Sequence, residues 1–103
     1  MLIEIKEQDF NQYIADHDVC LVTIVGHGCG GCRIQKTQLQ HVIDKRPDLS
    51  IATLNYSDSG RIAEQFNVSK IPTSLLFKGG VIQKTFDKCT RGSEIEAAMD
   101  ELN

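Results

Sequence analysis

The sequence predicts an α/β protein in which a mixed β-sheet is covered by helices on both faces. Two observations lead to this prediction. Apolar runs typical of strands alternate with segments whose apolar residues recur at helical spacing, and a glycine pair joins the last two strands. Alternating strands and helices are typical of a parallel sheet, and a closing hairpin adds antiparallel strands. The predicted order is βαβαβαββα, in one domain spanning residues 1–103.

The strands are predicted from short apolar runs bounded by turn residues. Ile3 and Ile5 alternate with charged residues, and Val19–Val25 is a longer run with the pattern of a buried central strand. Further strands are predicted at residues 51–56, 73–78 and 81–86. The last two flank Gly79-Gly80, and this glycine pair predicts a two-residue hairpin.

The helices are predicted from apolar residues spaced three and four apart. The helical stripes fall at Phe10, Tyr13, Ile14 and His17; at Leu39, Val42 and Ile43; at Ile62, Ala63 and Phe66; and at Ile95, Ala98, Met99 and Leu102. The second helix is predicted over residues 33–46 and ends before Pro47, because proline does not continue a helix. Ser93 and Glu96 have the spacing of a capping box, which predicts the start of the last helix.

Composition narrows the class of protein. An apolar content of 41% and a charged content of 24% are ordinary for a globular domain, and a net charge of −3 argues against nucleic-acid binding. The start of the chain lacks the apolar core of a secretory signal, and no stretch approaches the roughly 20 apolar residues of a membrane span. We therefore predict a cytoplasmic monomer. Its four cysteines are then expected to be catalytic or metal-binding rather than a structural framework.

A glycine-rich turn with two cysteines, Gly28-Cys29-Gly30-Gly31-Cys32, lies between the central strand and the second helix. Residues three apart lie on one face of a helix, with about 5–6 Å between Cβ atoms, so Cys29 and Cys32 are within reach of a disulfide. Unpaired N–H groups and the macrodipole at a helix N-terminus stabilise a thiolate. We therefore predict that the pKa of Cys29 lies below about 8.5, the value of a free thiol.

The charges around this turn have the opposite sign to the protein as a whole. Between Val19 and Ile43 there is no Asp or Glu, whereas His27, Arg33 and Lys36 all lie in that window. Cations near a thiol favour its ionised form. The plainer interpretation, that Arg33 and Lys36 only solvate an exposed helix face, stays open.

The order of motifs along the chain resembles the thioredoxin family. A Cys-x-x-Cys pair after a central strand is followed by Ile71-Pro72-Thr73 and then by Leu75-Leu76-Phe77-Lys78-Gly79-Gly80. The resemblance implies the thioredoxin fold, with Pro72 in a cis peptide bond beside the cysteines and the backbone of Ile71 pairing with an extended substrate. It also implies a substrate-binding surface bordered by Gly28, Gly30, Gly31, Ile71 and Pro72.

The function implied by the resemblance is the reduction of protein disulfides. Cys29 attacks a substrate disulfide, and Cys32 resolves the mixed disulfide, which releases the reduced substrate and leaves the pair oxidised. A donor resembling thioredoxin reductase would then restore the dithiol, with no cofactor and no metal. The chain would serve electron transport and cell redox homeostasis.

This chain departs from the family pattern at four positions. Gly28 stands where the family has Trp before the first cysteine, and Gly31 stands where it has proline between the cysteines. Thr23 and Thr53 occupy the positions of the family's buried Asp and Lys. Without that Asp, water or His27 is expected to accept the proton of the second cysteine.

Two other functions stay open. A protein that keeps the fold without turnover would be a binding or adaptor module. Alternatively, two chains would share their Cys-x-x-Cys pairs to give a zinc ion or a cluster four ligands.

Two cysteines lie outside the Cys-x-x-Cys motif. Cys20, in the central strand, is expected to act as a small core residue, and Cys89, before the last helix, as a free thiol.

Overall fold

The computed structural model describes residues 2–103, and its elements follow the predicted order βαβαβαββα. The strands are β1 (Ile3–Ile5), β2 (Val19–Val25), β3 (Ser50–Asn55), β4 (Thr73–Lys78) and β5 (Val81–Phe86). The helices are α1 (Glu7–Asp16), α2 (Gly30–Lys45), α3 (Ile62–Gln65) and α4 (Gly92–Leu102), and a short 3-10 helix covers Tyr56–Asp58. The predicted fold class is therefore confirmed.

The five strands form one mixed sheet in the order β1-β3-β2-β4-β5. The central strand β2 runs parallel to β3 and antiparallel to β4. On the outer sides, β1 pairs parallel with β3, and β5 pairs antiparallel with β4. Gly79 and Gly80 join β4 to β5 with φ angles of 58° and 78°, a left-handed backbone that favours glycine.

Side chains of the sheet alternate between two separate cores. Cys20, Val22 and Ile24 of β2 pack with α1 and α3, whereas Val19 and Leu21 pack with α2 and α4. Every residue of β2 is buried, as expected for a central strand that is covered on both faces. The carboxyl end of this rigid strand leads directly into the turn that carries the two cysteines.

The start of α4 differs from the prediction. The predicted capping box at Ser93 is wrong, because the N-cap of α4 is Arg91, two residues earlier, and the helix begins at Gly92. The N–H of Gly92 is instead satisfied by α2, since it donates to Oε1 of Gln38 at 2.8 Å. A Cβ atom at Gly92 would lie only 2.8 Å from a methyl group of Val42, so glycine allows the close approach of the two helices. A distant side chain therefore caps this helix.

A buried glutamine fastens α2 to the segment that leads into α4. Gln35 is fully buried; its amide donates to the carbonyl oxygen of Thr90 at 2.9 Å and accepts the N–H of Thr90 at 2.8 Å. In the part of the chain that the structure describes, every buried side-chain nitrogen and oxygen has a hydrogen-bond partner. The helix that carries the cysteines is thus held by a fully paired polar contact as well as by its apolar face.

We expect Gln35→Ala to lower the free energy of unfolding by about 2–4 kcal/mol, because it opens a cavity and leaves both backbone groups of Thr90 unpaired. Gln12→Ala is the matched control: Gln12 is exposed on α1 and donates to Asp16, so its loss should cost less than about 0.5 kcal/mol. Urea unfolding of both variants makes the comparison. Equal stabilities would contradict the role assigned to Gln35.

Candidate active site

The two cysteines predicted to react lie at the junction of β2 and α2. Cys29 and Cys32 form a disulfide, and their Cα atoms are 5.2 Å apart. The prediction that α2 starts at residue 33 is wrong, because the helix already begins at Gly30 and Cys29 is its N-cap. The turn therefore holds one cysteine at the very end of the helix and the other within its first turn.

The sulfur of Cys29 acts as the capping group of α2. It accepts the backbone N–H of Cys32 at 3.1 Å, and the carbonyl oxygen of Cys29 accepts the N–H of Arg33 at 3.3 Å. A capping sulfur therefore takes the place of the usual serine or aspartate oxygen and satisfies one of the free donors of the first turn. The same N–H and the helix macrodipole favour negative charge on this sulfur once the disulfide is reduced.

The two sulfurs differ in their access to solvent. Cys32 is 2% exposed, whereas Cys29 is half-buried and lines an open cleft. An incoming disulfide can therefore reach Cys29 first. Cys32 lies behind it, close enough to form a bond without movement of the backbone.

The turn before the cysteines requires glycine. Gly28 has a φ angle of 67°, in the left-handed region that β-branched and bulky residues avoid. The tryptophan that the family carries at this position would be strained on this backbone. Apart from its own chain neighbours, a Cβ atom at Gly28 or at Gly30 would meet no atom within 4 Å, so neither glycine packs against another part of the fold.

The segment around Pro72 lies against the cysteine turn. The Ile71–Pro72 peptide bond is cis, as the resemblance implied, and Pro72 is buried. The sulfur of Cys29 lies 3.7 Å from the carbonyl oxygen of Ile71. A Cβ atom at Gly31 would lie 3.3 Å from Cδ of Pro72, so this glycine permits the close packing of the proline ring on α2. The structure thus brings together the cysteines, the three predicted glycines and both residues of the cis peptide.

A cleft of about 440 Å³ opens beside the exposed sulfur. Its lining residues are Gly26, His27, Gly28, Cys29, Gly30, Cys32, Arg33 and Lys36. Arg33 and Lys36, the cations predicted from the sequence to surround the thiol, therefore line the same cleft as Cys29, and none of the lining residues is acidic. The imidazole Nε2 of His27 lies 3.5 Å from the amide nitrogen of Asn55, at the edge of this cleft.

A buried row of hydroxyl groups occupies the sheet positions where the family has charged residues. Thr23 of β2 lies opposite Thr53 of β3 and Ser74 of β4 in the strand register. The hydroxyl groups of Thr23 and Ser74 are hydrogen-bonded at 2.7 Å, and the hydroxyl group of Thr53 donates to the carbonyl oxygen of Ile3 at 3.4 Å. Neutral, hydrogen-bonded hydroxyl groups therefore fill this layer. The sequence did not predict the role of Ser74, because its position opposite Thr23 depends on the register of β4 on β2.

In residues 2–103, no group of three or more His, Cys, Asp or Glu side chains is arranged to hold a metal ion. Within the same residues, none of the helices has both the length and the apolar character needed to cross a membrane.

Comparison with known proteins agrees with the fold. A family model described as Thioredoxin matches residues 1–101. The chain is 38% identical over 80 residues to thioredoxin from Chlamydia muridarum, covering 77% of this chain and 78% of that protein. It is 31% identical over 99 residues to thioredoxin from Alicyclobacillus acidocaldarius, covering 95% and 94% of the two chains.

Solved structures share the same architecture. Mitochondrial thioredoxin 3 from Saccharomyces cerevisiae, in its oxidised form, superimposes with a TM-score of 0.85 at 20% identity, covering 98% of this chain and 95% of that chain. A mutant thioredoxin from Halobacterium salinarum gives a TM-score of 0.86 at 17% identity, with coverages of 98% and 88%. At such low identity these likenesses show the fold alone.

Fold and site together define a thioredoxin-fold protein with a disulfide-forming cysteine pair at the start of its second helix. The chain belongs to the thioredoxin family. Family membership and the Cys29–Cys32 pair support a thiol–disulfide oxidoreductase.

The remaining two cysteines have different surroundings. Cys20 is fully buried in β2, whereas Cys89 is exposed in the segment before α4. Burial, with a smaller contribution from the charge of Asp18, raises the pKa of the Cys20 thiol to about 11. Cys20 is therefore a neutral core residue at neutral pH, as the sequence predicts.

We expect iodoacetamide at pH 8 to modify Cys89 in the folded protein and to spare Cys20 until the protein is unfolded. Because the pKa of Cys20 is raised in the folded state from an ordinary value of 9.0, its contribution to stability is present below pH 9 and is lost as the pH rises toward 11. Peptide mass spectrometry of labelled samples measures both sites. Equal labelling of Cys20 and Cys89 in the folded protein would show that β2 is not buried as described.

Proposed function

We propose that this protein reduces disulfides of other proteins through the Cys29–Cys32 pair. One observation supports the proposal most strongly: a half-exposed sulfur caps a helix and accepts an N–H, while a buried partner sulfur lies within bonding reach. The catalytic residues of this proposal are Cys29 and Cys32. Gly28, Gly30, Gly31, Ile71 and Pro72 border the surface on which the substrate docks.

The first step is attack by Cys29. In the reduced protein its thiolate is favoured by the N–H of Cys32 and by the helix macrodipole, which are expected to lower its pKa. The thiolate forms a bond to one sulfur of the substrate disulfide, and the substrate bond breaks. The second substrate sulfur leaves as a thiolate, which takes up a proton from water. A mixed disulfide between the protein and its substrate results.

The second step is resolution by Cys32. Its thiol loses a proton, and the resulting thiolate attacks the sulfur of Cys29, so that the mixed disulfide breaks and the reduced substrate leaves. The buried layer below α2 holds the neutral pair Thr23 and Ser74 rather than a carboxylate. The acceptor of the Cys32 proton is therefore water or His27, which lines the same cleft as Cys32.

Substrate docking uses the backbone next to the cis peptide. The carbonyl oxygen of Ile71 lies 3.7 Å from the sulfur of Cys29, at the edge where an extended substrate segment would run. Backbone hydrogen bonds to Ile71 would hold that segment in the manner of an added strand. Such contacts place the substrate disulfide beside the attacking sulfur and do not depend on substrate sequence.

The cycle needs an electron donor, because each turnover leaves the protein oxidised. We propose a donor resembling thioredoxin reductase, acting on a monomer in the cytoplasm. Two thiols of the chain, Cys20 and Cys89, are free, which suits a compartment that keeps thiols reduced.

The reaction can be tested by the reduction of insulin with dithiothreitol as the electron donor. We expect the protein to accelerate insulin precipitation over dithiothreitol alone and Cys29→Ser to abolish this acceleration, because the attacking sulfur is lost. Cys89→Ser is the control, since Cys89 is exposed outside the pair. No acceleration by the unmodified protein would instead favour an adaptor function, and stoichiometric zinc or iron in the purified protein would favour a metal site shared by two chains.

The order of the two cysteines can be tested by trapping the mixed disulfide. Cys32→Ser should accumulate a covalent complex with substrate protein through Cys29, because the resolving thiol is missing. Non-reducing electrophoresis of cell extract treated with this variant detects the complex, and dithiothreitol should release it. A complex that forms equally well with Cys29→Ser would contradict the assigned order.

A further inference from the structure

The cleft beside Cys29 carries positive charge that the rest of the protein does not neutralise. Arg33 and Lys36 line it, and no acidic residue lines it. Within the described residues 2–103, five of the other nine Lys and Arg side chains form an ion pair, namely Lys6, Lys45, Arg46, Lys70 and Lys78, and four do not, namely Arg61, Lys84, Lys88 and Arg91. Arg33 and Lys36 form none in that same part of the chain. In a protein of net charge −3, two cations next to the reactive sulfur are thus left without a carboxylate.

These two cations form a stripe along α2 that starts at the sulfur. Arg33 and Lys36 follow Cys29 by four and seven residues, a spacing that places all three on one face of the helix. With a rise of 1.5 Å per residue, their Cα atoms lie about 6 and about 10 Å along the helix from Cys29. Both side chains are exposed, so they are available to a bound chain.

The surroundings on the two sides of Cys29 differ. Lys70, which precedes Ile71, is already paired with Asp87 at 3.8 Å. On the side of α2, an open cleft beside Cys29 is lined by Gly28 and Gly30 and by the two free cations. The open side of the site is therefore the positively charged side.

We propose that the open side selects polypeptide disulfides in which Asp or Glu lies two or three residues from the attacked cysteine. This inference rests on the function proposed above and names its substrate class. An extended peptide advances about 3.3 Å per residue, so a segment that leaves the Ile71 edge and runs along α2 would bring such carboxylates to the level of Arg33 and Lys36. The chemical step is unchanged: Cys29 bonds to the substrate sulfur and the other substrate sulfur leaves as a thiolate. Arg33 and Lys36 are then specificity-determining residues.

The size of the expected effect follows from exposed ion pairs. Arg33 and Lys36 should attract an acidic peptide and repel a basic one. The rate of attack on the acidic peptide should therefore exceed the rate on the basic peptide on the order of tenfold at about 10 mM salt. The ratio should fall below about twofold at 1 M salt, because the Debye length shrinks from about 30 Å to about 3 Å.

The attack step can be measured alone with the Cys32→Ser variant. Three synthetic peptides, each with one cysteine blocked as a 2-thiopyridyl disulfide, carry Glu, Gln or Lys at the second and third positions on both sides of that cysteine. The variant also carries Cys89→Ser, because the exposed thiol of Cys89 would react as well, so that release of thiopyridone reports bond formation with Cys29. Each rate is divided by the rate with mercaptoethanol, which removes differences in the intrinsic reactivity of the peptides. We expect the normalised rates to fall in the order Glu, Gln, Lys.

Variants of the two cations test their role. Arg33→Glu with Lys36→Glu should reverse the order of the three peptides, and Arg33→Gln with Lys36→Gln should remove it. Lys84→Glu, on β5 and outside the cleft, is the control and should preserve the preference. Equal normalised rates for the Glu and Lys peptides would overturn the selectivity and leave disulfide reduction intact. Failure to attack any of the three peptides would overturn the proposed function itself.

Discussion

The contact between the N–H of Cys32 and the sulfur of Cys29 is the interaction on which the site depends. At 3.1 Å this hydrogen bond makes the sulfur of Cys29 the N-terminal cap of α2, so that the reactive group is itself part of the helix end. Helix ends need acceptors for their free N–H groups, and a thiolate is a better acceptor than a thiol. The same hydrogen bond therefore completes the helix and favours the ionised sulfur.

The fold keeps that contact in place from three sides. The strand β2 is buried on both faces and fixes the start of the turn, while Gln35 and Gln38 tie α2 to the segment entering α4. The proline ring of Pro72 closes the third side against Gly31. The two sulfurs are thus held by packed elements, whereas the surface at Gly28 is open. An open surface beside Cys29 allows a large protein substrate to reach its sulfur.

Local patterns predicted much of this architecture. The bounds of β2, β4 and β5 agree with the predicted runs, because continuous apolar residues and a glycine pair are strong local signals. The cysteine pair was also recognisable, since its spacing alone brings the two sulfurs within reach. The cleft charges followed from the absence of acids between residues 19 and 43.

Features that depend on distant partners were not predicted. The start of α4 is capped by Gln38 of α2, across the interface between the two helices. The sequence around Ser93 contains no sign of this contact. Gln35 did give a signal, a polar residue at a core position of the α2 stripe, but its partner Thr90 is 55 residues away. The pairing of Thr23 with Ser74 likewise follows from the register of β2 on β4 rather than from either residue.

The ionisation of Cys29 in the reduced protein tests this account most directly. The absorbance of thiolate near 240 nm can be followed against pH in Cys32→Ser, with the Cys29→Ser and Cys32→Ser double variant as the baseline. We predict that the difference curve reports a pKa for Cys29 at least about one unit below the free-thiol value of about 8.5. A pKa of Cys29 at or above about 8.5 would contradict the claim that the helix end stabilises the attacking sulfur.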